Sequence, residues 1–291
     1  MVGPAIVPDE RQPQRSSVQP PKMIVCRDLG KTYVARAQET VVALENFNID
    51  VPAGELLTMV GPSGCGKTTS LRLLAGLDQK SSGYMELAGS PIDGPRKDIG
   101  VVFQAPTLLA WRTVFDNVML PIDVLGFGRK SHAARANRLI EMARLAGFER
   151  KYPWELSGGM QQRVAICRAL VHQPRVLLMD EPFGALDALT REAMNVELEN
   201  IWLQTKQTIV LITHSISEAI FLGTRVAVMT PRPGTIAEVI PVDFPRPREL
   251  AITTSPDFGK LVQRIRGILD ARGPIEHARA KVGQHDGGRA K

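Results

Sequence analysis

One eight-residue segment constrains the fold of this chain more than any other. Residues 61–68 read Gly-Pro-Ser-Gly-Cys-Gly-Lys-Thr and fit the pattern G-x-x-x-x-G-K-[ST]. The apolar run Leu56–Val60 precedes this segment, and residues 67–77 have the apolar spacing of a helix. A glycine-rich turn between a strand and a helix lets backbone N–H groups surround phosphate oxygens, and the helix start adds its positive dipole end. The pattern therefore predicts a phosphate-binding loop. A chance glycine-rich turn is the alternative, and the flanking elements argue against it.

The last two residues of the loop carry side chains suited to a nucleotide. Lys67 can reach the terminal phosphates, and the hydroxyl of Thr68 can hold Mg²⁺. A second segment, Val176–Met179, reads as a strand buried on both faces and ends in Asp180 and Glu181. Asp180 at the carboxyl end of such a strand can hold the Mg²⁺ shell, and Glu181 can accept a proton from an attacking water. An acidic strand end at a helix cap is the alternative.

A third segment, Leu156–Arg163, predicts another anion site. Its Ser157, Gly158 and Gly159 stand at a helix start, where several backbone N–H groups have no partner within the helix. One ATP has one triphosphate, so two phosphate-binding helix ends need an explanation. A dimer that holds ATP between the two ends supplies one. A plain helix cap is the alternative for this segment.

Strands and helices alternate along the chain, which predicts an α/β fold with a largely parallel sheet covered on both sides. The helical stretch 113–156 interrupts this alternation and predicts an inserted subdomain at about 105–172. The predicted strands are Met23–Val34, Phe47–Val51, Leu56–Val60, Tyr84–Ala88, Ile99–Phe103, Val176–Met179, Thr208–Thr213 and Arg225–Met229, and the predicted helices are Lys67–Leu77, Ser131–Ala146, Asp187–Thr205 and Ile216–Leu222. Residues 1–22 are rich in proline and are expected to be a disordered lead-in, and residues 246–291 to be a helix with a basic tail.

Composition and charge indicate the cellular compartment and the class of partner to expect. No apolar stretch reaches the length of a membrane-spanning helix and no secretory signal is visible, so we expect a cytoplasmic protein. The net charge of +6 includes +1 from residues 1–22 and +3 from residues 272–291, so only +2 is left for the rest of the chain. This distribution does not suggest a nucleic-acid partner. Cys26, Cys65 and Cys167 match no metal or redox spacing and are expected to be free thiols.

Over nearly all of residues 23–236 the sequence resembles the ABC-transporter ATPase family. The family's Walker A loop corresponds to Gly61–Thr69, its signature to Leu156–Arg163 and its Walker B strand to Val176–Asp180. The resemblance implies an α/β P-loop core sheet with an antiparallel β part, in an ATPase domain at residues 23–245. The implied nucleotide-binding residues are Tyr33, Gly61, Pro62, Ser63, Gly64, Cys65, Gly66, Lys67, Thr68, Thr69, Ser157, Gly158, Gly159, Gln161 and Asp187.

The resemblance also implies roles for residues outside the three segments. Gln104 matches the Q-loop glutamine, which contacts Mg²⁺ and the attacking water, and Asp187 matches the D-loop. His214 matches the switch histidine that contacts the terminal phosphate, and Tyr33 falls where the family stacks an aromatic ring on adenine. Singly, His214 would more often be a buried structural histidine and Tyr33 a half-buried strand residue. The expected catalytic residues are Glu181, His214 and Gln104, and the expected metal ligands are Thr68, Gln104 and Asp180.

Three segments, 108–118, 182–191 and 228–234, look like those of importers of nitrate, sulfonate, taurine and related small anions. Ala110, Ser215 and Thr224 depart from that group, where Pro, Asp and an acidic residue are usual. The resemblance implies a homodimeric ATPase subunit on the cytoplasmic face of the inner membrane. It would energise import through separate permease subunits, served by a periplasmic or extracellular solute-binding protein.

Two other functions are consistent with parts of the pattern. An ABC ATPase that acts on DNA or ribosomes would usually carry a coiled-coil insertion or two fused cassettes, and this chain has one copy of each motif. A binding module with ATP as a structural ligand would not need Glu181 and His214 together. The apolar residues Leu108, Leu109 and Trp111 lie in a predicted loop; either a permease helix covers them or they pack into their own subdomain.

Overall fold

The computed structural model describes residues 20–34 and 40–271. Within these ranges the chain forms ten strands, eight α-helices and two 3-10 helices at Pro153–Glu155 and Leu250–Thr254. The strands are β1 (Lys22–Val34), β2 (Thr40–Pro52), β3 (Leu56–Val60), β4 (Ser82–Leu87), β5 (Ser90–Pro91), β6 (Ile99–Val102), β7 (Val176–Asp180), β8 (Thr208–Ile212), β9 (Arg225–Met229) and β10 (Ile236–Pro241). The helices are α1 (Lys67–Leu74), α2 (Val114–Val118), α3 (Leu120–Val124), α4 (Arg129–Met142), α5 (Gly158–Leu170), α6 (Ala188–Thr205), α7 (Ile216–Leu222) and α8 (Pro256–Ala271).

The larger sheet has the strand order β10-β9-β3-β8-β7-β6, and its pairs are parallel except for β9 with β10. Every residue of β3 and β8 is buried, as expected for strands covered on both faces. The α/β core predicted from the alternation of strands and helices is therefore confirmed. Because parallel strands end at the same edge, this order brings the residues that follow β3, β7 and β8 together.

A second, antiparallel sheet has the order β2-β1-β4-β5 and packs beside the first. The predicted strand Phe47–Val51 is only the second half of β2, which begins at Thr40. The register shifts several times between β1 and β2, and these irregularities hide the alternation of buried and exposed side chains in the first half. At the far end of the pair, Tyr33 lies opposite Val41.

Helices α2–α5 lie between β6 and β7, where the sequence predicts helices and no strands. Their buried side chains, among them Val118, Ile140 and Val164, join one core cluster with Phe183 and residues of α6. The predicted helix 131–146 begins earlier, at Arg129, and ends at Met142. It ends there because Arg144 adopts a positive φ of 53°, which no α-helix continues through.

Helix α8 covers the side of the core sheet formed by β9 and β10. Its Phe258 and Ile265 are buried in a cluster with Val226, Val228 and Ile240. The rest of the predicted lead-in and tail, residues 1–19 and 272–291, lies outside the described residues. In the part of the chain that the structure describes, no helix is long and apolar enough to cross a membrane, and Cys26, Cys65 and Cys167 are free and buried.

Candidate active site

The loop between β3 and α1 has the conformation that its glycines allow. Gly64 has a φ of 73° and Gly66, the residue before α1, a φ of 101°. A Cβ atom on Gly66 would lie 2.7 Å from the carbonyl oxygen of Ala43. Only glycine combines this backbone angle with such a close approach. The loop is therefore held against β2 while its own backbone wraps around the start of α1.

Lys67 projects back over this loop. Its Nζ donates hydrogen bonds to the carbonyl oxygens of Gly61 at 2.8 Å and Pro62 at 3.0 Å. The side chain is only 7% exposed, so these hydrogen bonds to the loop set the position of the ammonium group. A cation held at the start of a helix beside a glycine-rich loop is suited to a phosphate chain.

Thr68 and Asp180 meet at the edge of the core sheet. Thr68 Oγ1 on α1 donates to Asp180 Oδ1 at the end of β7, with 3.2 Å between the two oxygens. Burial raises the pKa of Asp180, the Thr68 hydrogen bond and the Lys67 charge oppose this shift, and Glu181 adds to it. A half-buried carboxylate beside a hydroxyl is the kind of oxygen donor pair that Mg²⁺ prefers. The residues present therefore fit a magnesium ion.

Glu181 lies directly after β7 and faces His214, which follows β8. His214 Nδ1 lies 3.1 Å from Glu181 Oε2, within hydrogen-bond distance. The backbone of Glu181 has a positive φ of 44°, and its N–H donates to the carbonyl of Ile212 at 2.9 Å. This left-handed turn is uncommon for a side chain larger than glycine and aims the carboxylate across the end of β8.

Gln104 lies beside the same carboxylate. A Cβ atom on Gly184 would be 3.4 Å from Gln104 Nε2 and 3.6 Å from Glu181 Oε2, so both side chains border Gly184. The three residues expected to be catalytic, Glu181, His214 and Gln104, therefore gather from the ends of three different strands. Such convergence of polar groups at strand ends is typical of ligand sites in parallel sheets.

A cavity of about 300 Å³ opens over the loop. At one end it is bordered by Tyr33, Val41 and Ala43 of the antiparallel sheet. At the other it is bordered by the phosphate-binding loop and Glu181. The residues that line it are Tyr33, Val41, Ala43, Ser63, Gly64, Gly66, Lys67, Thr68, Thr69, Glu181 and Arg232. The size and the combination of an apolar end with a polar end suit a nucleotide.

Tyr33 stands at the rim of this cavity with 38% of its surface exposed. Its hydroxyl donates to Asp78 Oδ2 at 3.0 Å, which fixes the ring. Lys31 Nζ lies 4.7 Å from the ring centroid, so a cation rests near the ring. An exposed, fixed aromatic ring beside a phosphate-binding loop is suited to stacking on a base.

The signature segment lies elsewhere on the surface. Ser157 caps α5 by accepting a hydrogen bond from the N–H of Met160 at 3.3 Å, and the Gln161 amide donates to Pro153. Asp187 caps α6 by accepting from the N–H of Thr190, which also packs closely on Gly159. Five residues expected to bind nucleotide do not line the cavity of their own chain. They are Ser157, Gly158, Gly159, Gln161 and Asp187.

Sequence reasoning missed four residues that the fold places at or near the site. Val41, Ala43 and Arg232 line the cavity, and they come from segments that carry no phosphate-binding pattern. Glu218 is buried on the first turn of α7, four residues after His214. For Glu218 an acid within an apolar helix was a visible signal, whereas the other three come to the site only through tertiary packing.

Fold and site together define a nucleotide-binding protein of the P-loop type. Residues 44–184 match the family described as ABC transporter. The taurine import ATP-binding protein TauB of Rhizobium johnstonii is 44% identical over 84% of this chain and 96% of its own length. The aliphatic sulfonates import ATP-binding protein SsuB of Bacillus subtilis is 41% identical over 85% of this chain and 94% of its own.

A solved structure agrees with these sequence matches. The dimeric post-hydrolysis state of the ATP-binding cassette MJ0796, bound to ADP and Pi, superposes with a TM-score of 0.66 and 31% identity. The match covers 76% of this chain and all of that one. The chain belongs to the ABC transporter family. It is an ATP-binding, ATP-hydrolysing subunit, which confirms the family and the activity expected from the motifs.

Proposed function

We propose that this subunit uses ATP hydrolysis to energise import of a small anion, such as a sulfonate, taurine or nitrate, through a separate permease. The relatives named for taurine and aliphatic sulfonate import, each matched over more than 90% of its length, support this solute class. The working unit in this proposal is the ATPase domain at residues 23–245, with the helical subdomain at about 105–172. A periplasmic or extracellular protein would deliver the solute, and the ATPase would sit on the cytoplasmic face of the inner membrane.

The loop side of the cavity would bind the phosphates. Residues of this loop and the start of α1 line it, and their N–H groups would donate to phosphate oxygens. Lys67 adds a cation that its loop carbonyls already orient. Thr68, Asp180 and Gln104 would hold Mg²⁺, which neutralises phosphate charge when bound. At the other end of the cavity, Tyr33 would stack on the adenine.

The pair Glu181 and His214 carries the proposal of hydrolysis. Glu181 borders the phosphate end of the cavity, and its Oε2 lies 3.1 Å from His214 Nδ1. Glu181 would accept the proton of the attacking water as general base, while His214 keeps the carboxylate oriented and reaches the terminal phosphate. Gln104, on the other side of Gly184, would hold the water in line.

A second copy of the chain would complete each site. Ser157–Gly159 form a helix start of their own but do not line the cavity of their own chain. In a two-fold dimer the helix start of one copy would face the loop of the other, with Asp187 beside it. The dimeric state of the related cassette bound to ADP and Pi supports this arrangement.

The test of hydrolysis is Glu181→Gln, which keeps the side-chain size and removes the base. We expect ATP turnover to fall roughly a hundredfold or more, with ATP affinity little changed. Glu192→Gln, on the exposed side of α6, is the matched control and should keep normal turnover. A Glu181→Gln protein that hydrolyses ATP at the normal rate would show that another group is the base.

The test of transport uses the subunit with its permease in sealed vesicles. ATP-driven uptake of taurine, an alkanesulfonate and nitrate is compared with uptake of a neutral sugar, in each case with the wild-type and Glu181→Gln subunits. We expect uptake of at least one anion, and only with the wild-type subunit. Uptake of the sugar alone would contradict the proposed solute class and leave the ATPase activity standing.

A further inference from the structure

A turn outside the phosphate-binding loop is fixed against that loop. Residues 230–235 join β9 to β10, and Gly234 in this turn donates its N–H to Ala43 at 3.0 Å and accepts from the N–H of Glu45 at 3.1 Å. A Cβ atom on Gly234 would lie 1.9 Å from the carbonyl oxygen of Cys65. The turn therefore touches both β2, which borders the apolar end of the cavity, and the loop at the phosphate end.

The turn is also closed on itself. Thr230 donates its N–H to the carbonyl of Thr235, and Thr235 donates its N–H to Thr230 Oγ1, both at 3.0 Å. Thr230 Oγ1 also donates to the carbonyl of Pro233 at 3.3 Å. These bonds and the contacts of Gly234 hold the backbone on both sides of Arg232 in place.

Arg232 projects from this turn into the cavity. Its Nε donates to the carbonyl of Gly64 at 3.3 Å, and a Cβ atom on Gly64 would lie 3.2 Å from its Nη2. Within residues 20–34 and 40–271, no carboxylate lies within 4 Å of its guanidinium group. No acid of the described residues therefore balances its charge at close range, and its side chain borders the space that a nucleotide would fill.

We propose that Arg232 binds the phosphate chain of the nucleotide, as a second cation beside Lys67. A guanidinium group stays charged at any physiological pH and can donate two parallel hydrogen bonds to phosphate oxygens. Lys67 comes from the loop itself, whereas Arg232 approaches from the β9–β10 turn beside Gly64. The inference rests on the nucleotide occupying the cavity, as in the proposed function.

A purely structural role makes a different prediction. If Arg232 only braces the loop through its bond to Gly64, glutamine and lysine should serve about equally, since each can donate a hydrogen bond to a carbonyl oxygen. If Arg232 binds phosphate, lysine should serve better than glutamine because it keeps the charge. The two substitutions Arg232→Lys and Arg232→Gln therefore separate the two roles.

The experiment measures ATP and ADP dissociation constants by calorimetry at low and high salt, with thermal unfolding to check that each variant is folded. We expect Arg232→Gln to weaken both nucleotides about tenfold, and Arg232→Lys by much less. The loss should shrink at high salt, since screening weakens the wild-type contact. Arg266→Ala, an exposed arginine of α8, is the charge-matched control and should bind normally.

Wild-type affinity in Arg232→Gln, or equal losses in the two Arg232 variants, would overturn the proposal. Wild-type protein that binds no ATP would instead overturn the proposed use of the cavity. A folded Arg232→Gln variant with a lower unfolding temperature and unchanged nucleotide affinity would assign Arg232 to bracing the loop alone.

Discussion

Thr68 and Asp180, 112 residues apart in the sequence, share a hydrogen bond of 3.2 Å between Thr68 Oγ1 and Asp180 Oδ1. The bond joins the first turn of α1 to the end of β7, across the position of β8 in the sheet. A carboxylate whose pKa burial has raised is poorly solvated, so it gains from a cation that replaces the missing water. This pair is the natural place to test for a magnesium ion.

Asp180→Asn keeps an oxygen for Thr68 and removes the negative charge. We expect Mg²⁺ to lose most of its effect on ATP affinity in this variant, because Asp180 is the only charged group among the three proposed ligands and an amide oxygen attracts a divalent cation less than a carboxylate does. ATP dissociation constants measured with Mg²⁺ and with EDTA give the comparison. Asp243→Asn, an exposed aspartate, is the control and should keep the full magnesium effect. A full effect in Asp180→Asn would remove this residue from the metal site.

Shared ATP sites predict rescue between two inactive proteins. Lys67→Ala removes the phosphate-binding cation, and Ser157→Arg blocks the helix start of α5, so each protein alone should be inactive. A mixed dimer has one doubly damaged site and one intact site. After forced exchange we expect ATP turnover to return in part, provided that one site can act alone.

Two measurements interpret this mixture. Restored turnover can come only from sites built by two chains. If turnover stays absent, a crosslink between cysteines placed at positions 64 and 157 decides the matter, because it should join two chains. A crosslink found only within one chain would rule out the shared site.

The surface around Trp111 predicts a contact with the permease. Leu108 packs against the core cluster and Leu109 is anchored by backbone hydrogen bonds to Asn117, whereas Trp111 is 74% exposed. Leu108 therefore packs into its own subdomain and Leu109 is held there by its backbone, whereas Trp111 is the most exposed of the three. Exposed tryptophans of this kind often anchor interfaces.

Trp111→Ala should therefore weaken copurification with the permease by roughly tenfold or more, while the unfolding temperature stays close to that of the wild type. Trp154→Ala is the matched control, since Trp154 is 66% exposed and stacks on Tyr152. Equal permease binding by the wild type and Trp111→Ala would show that the coupling surface lies elsewhere. Crosslinks from Trp111→Cys or Leu109→Cys would then locate it.

Glu218 predicts a pH-dependent stability. It is 6% exposed, and burial raises its pKa, while a hydrogen bond from Thr213 and the nearby Arg191 and His214 oppose this shift and Glu181 adds to it. Because the folded state holds the proton more tightly than the unfolded chain, this group lowers stability as the pH rises through the window above 4.5. Below that window both states are protonated and the effect is absent.

Glu218→Gln removes this titration and keeps an oxygen for Thr213. We expect the unfolding temperature of the variant to exceed that of the wild type by a margin that grows as the pH is raised from about 4.5 to 8. Glu192→Gln should show no such trend. A margin that shrinks over the same range would mean that the buried carboxylate is stabilised by its neighbours.

The elements that could be predicted from the sequence are those whose signals are local. The buried runs of β3, β7 and β8 and the glycines of the loop specify their structure within a few residues, and the structure confirms them. Boundaries set by tertiary contacts were missed. The first helix was expected to reach Leu77 but ends at Leu74, because Gly76 has a positive φ and a Cβ there would lie 2.0 Å from the carbonyl of Gly94.

The same division applies to the site. Lys67, Asp180 and Glu181 stand in short patterns that predict a nucleotide site when they occur together in one chain. Arg232 stands in segment 228–234, which resembles the importer group but carries no phosphate-binding pattern, and β10 is a half-exposed strand with a weak pattern. What brings Arg232 to the cavity is the packing of Gly234 on Cys65, which involves residues 169 positions apart and leaves no trace in local sequence.

The wall of the cavity is divided between two sheets, since Tyr33 and Val41 belong to the antiparallel sheet and the loop with Glu181 to the parallel one. In the proposed binding mode ATP would span both ends of the cavity and act as a bivalent ligand, with the base as one half and the triphosphate as the other. The affinity of a bivalent ligand depends on the effective concentration of the second half once the first is bound, which the spacing of the two sheets sets. The hydrogen bonds of Gly234 with Ala43 and Glu45 tie the β9–β10 turn to β2 and so help to hold that spacing.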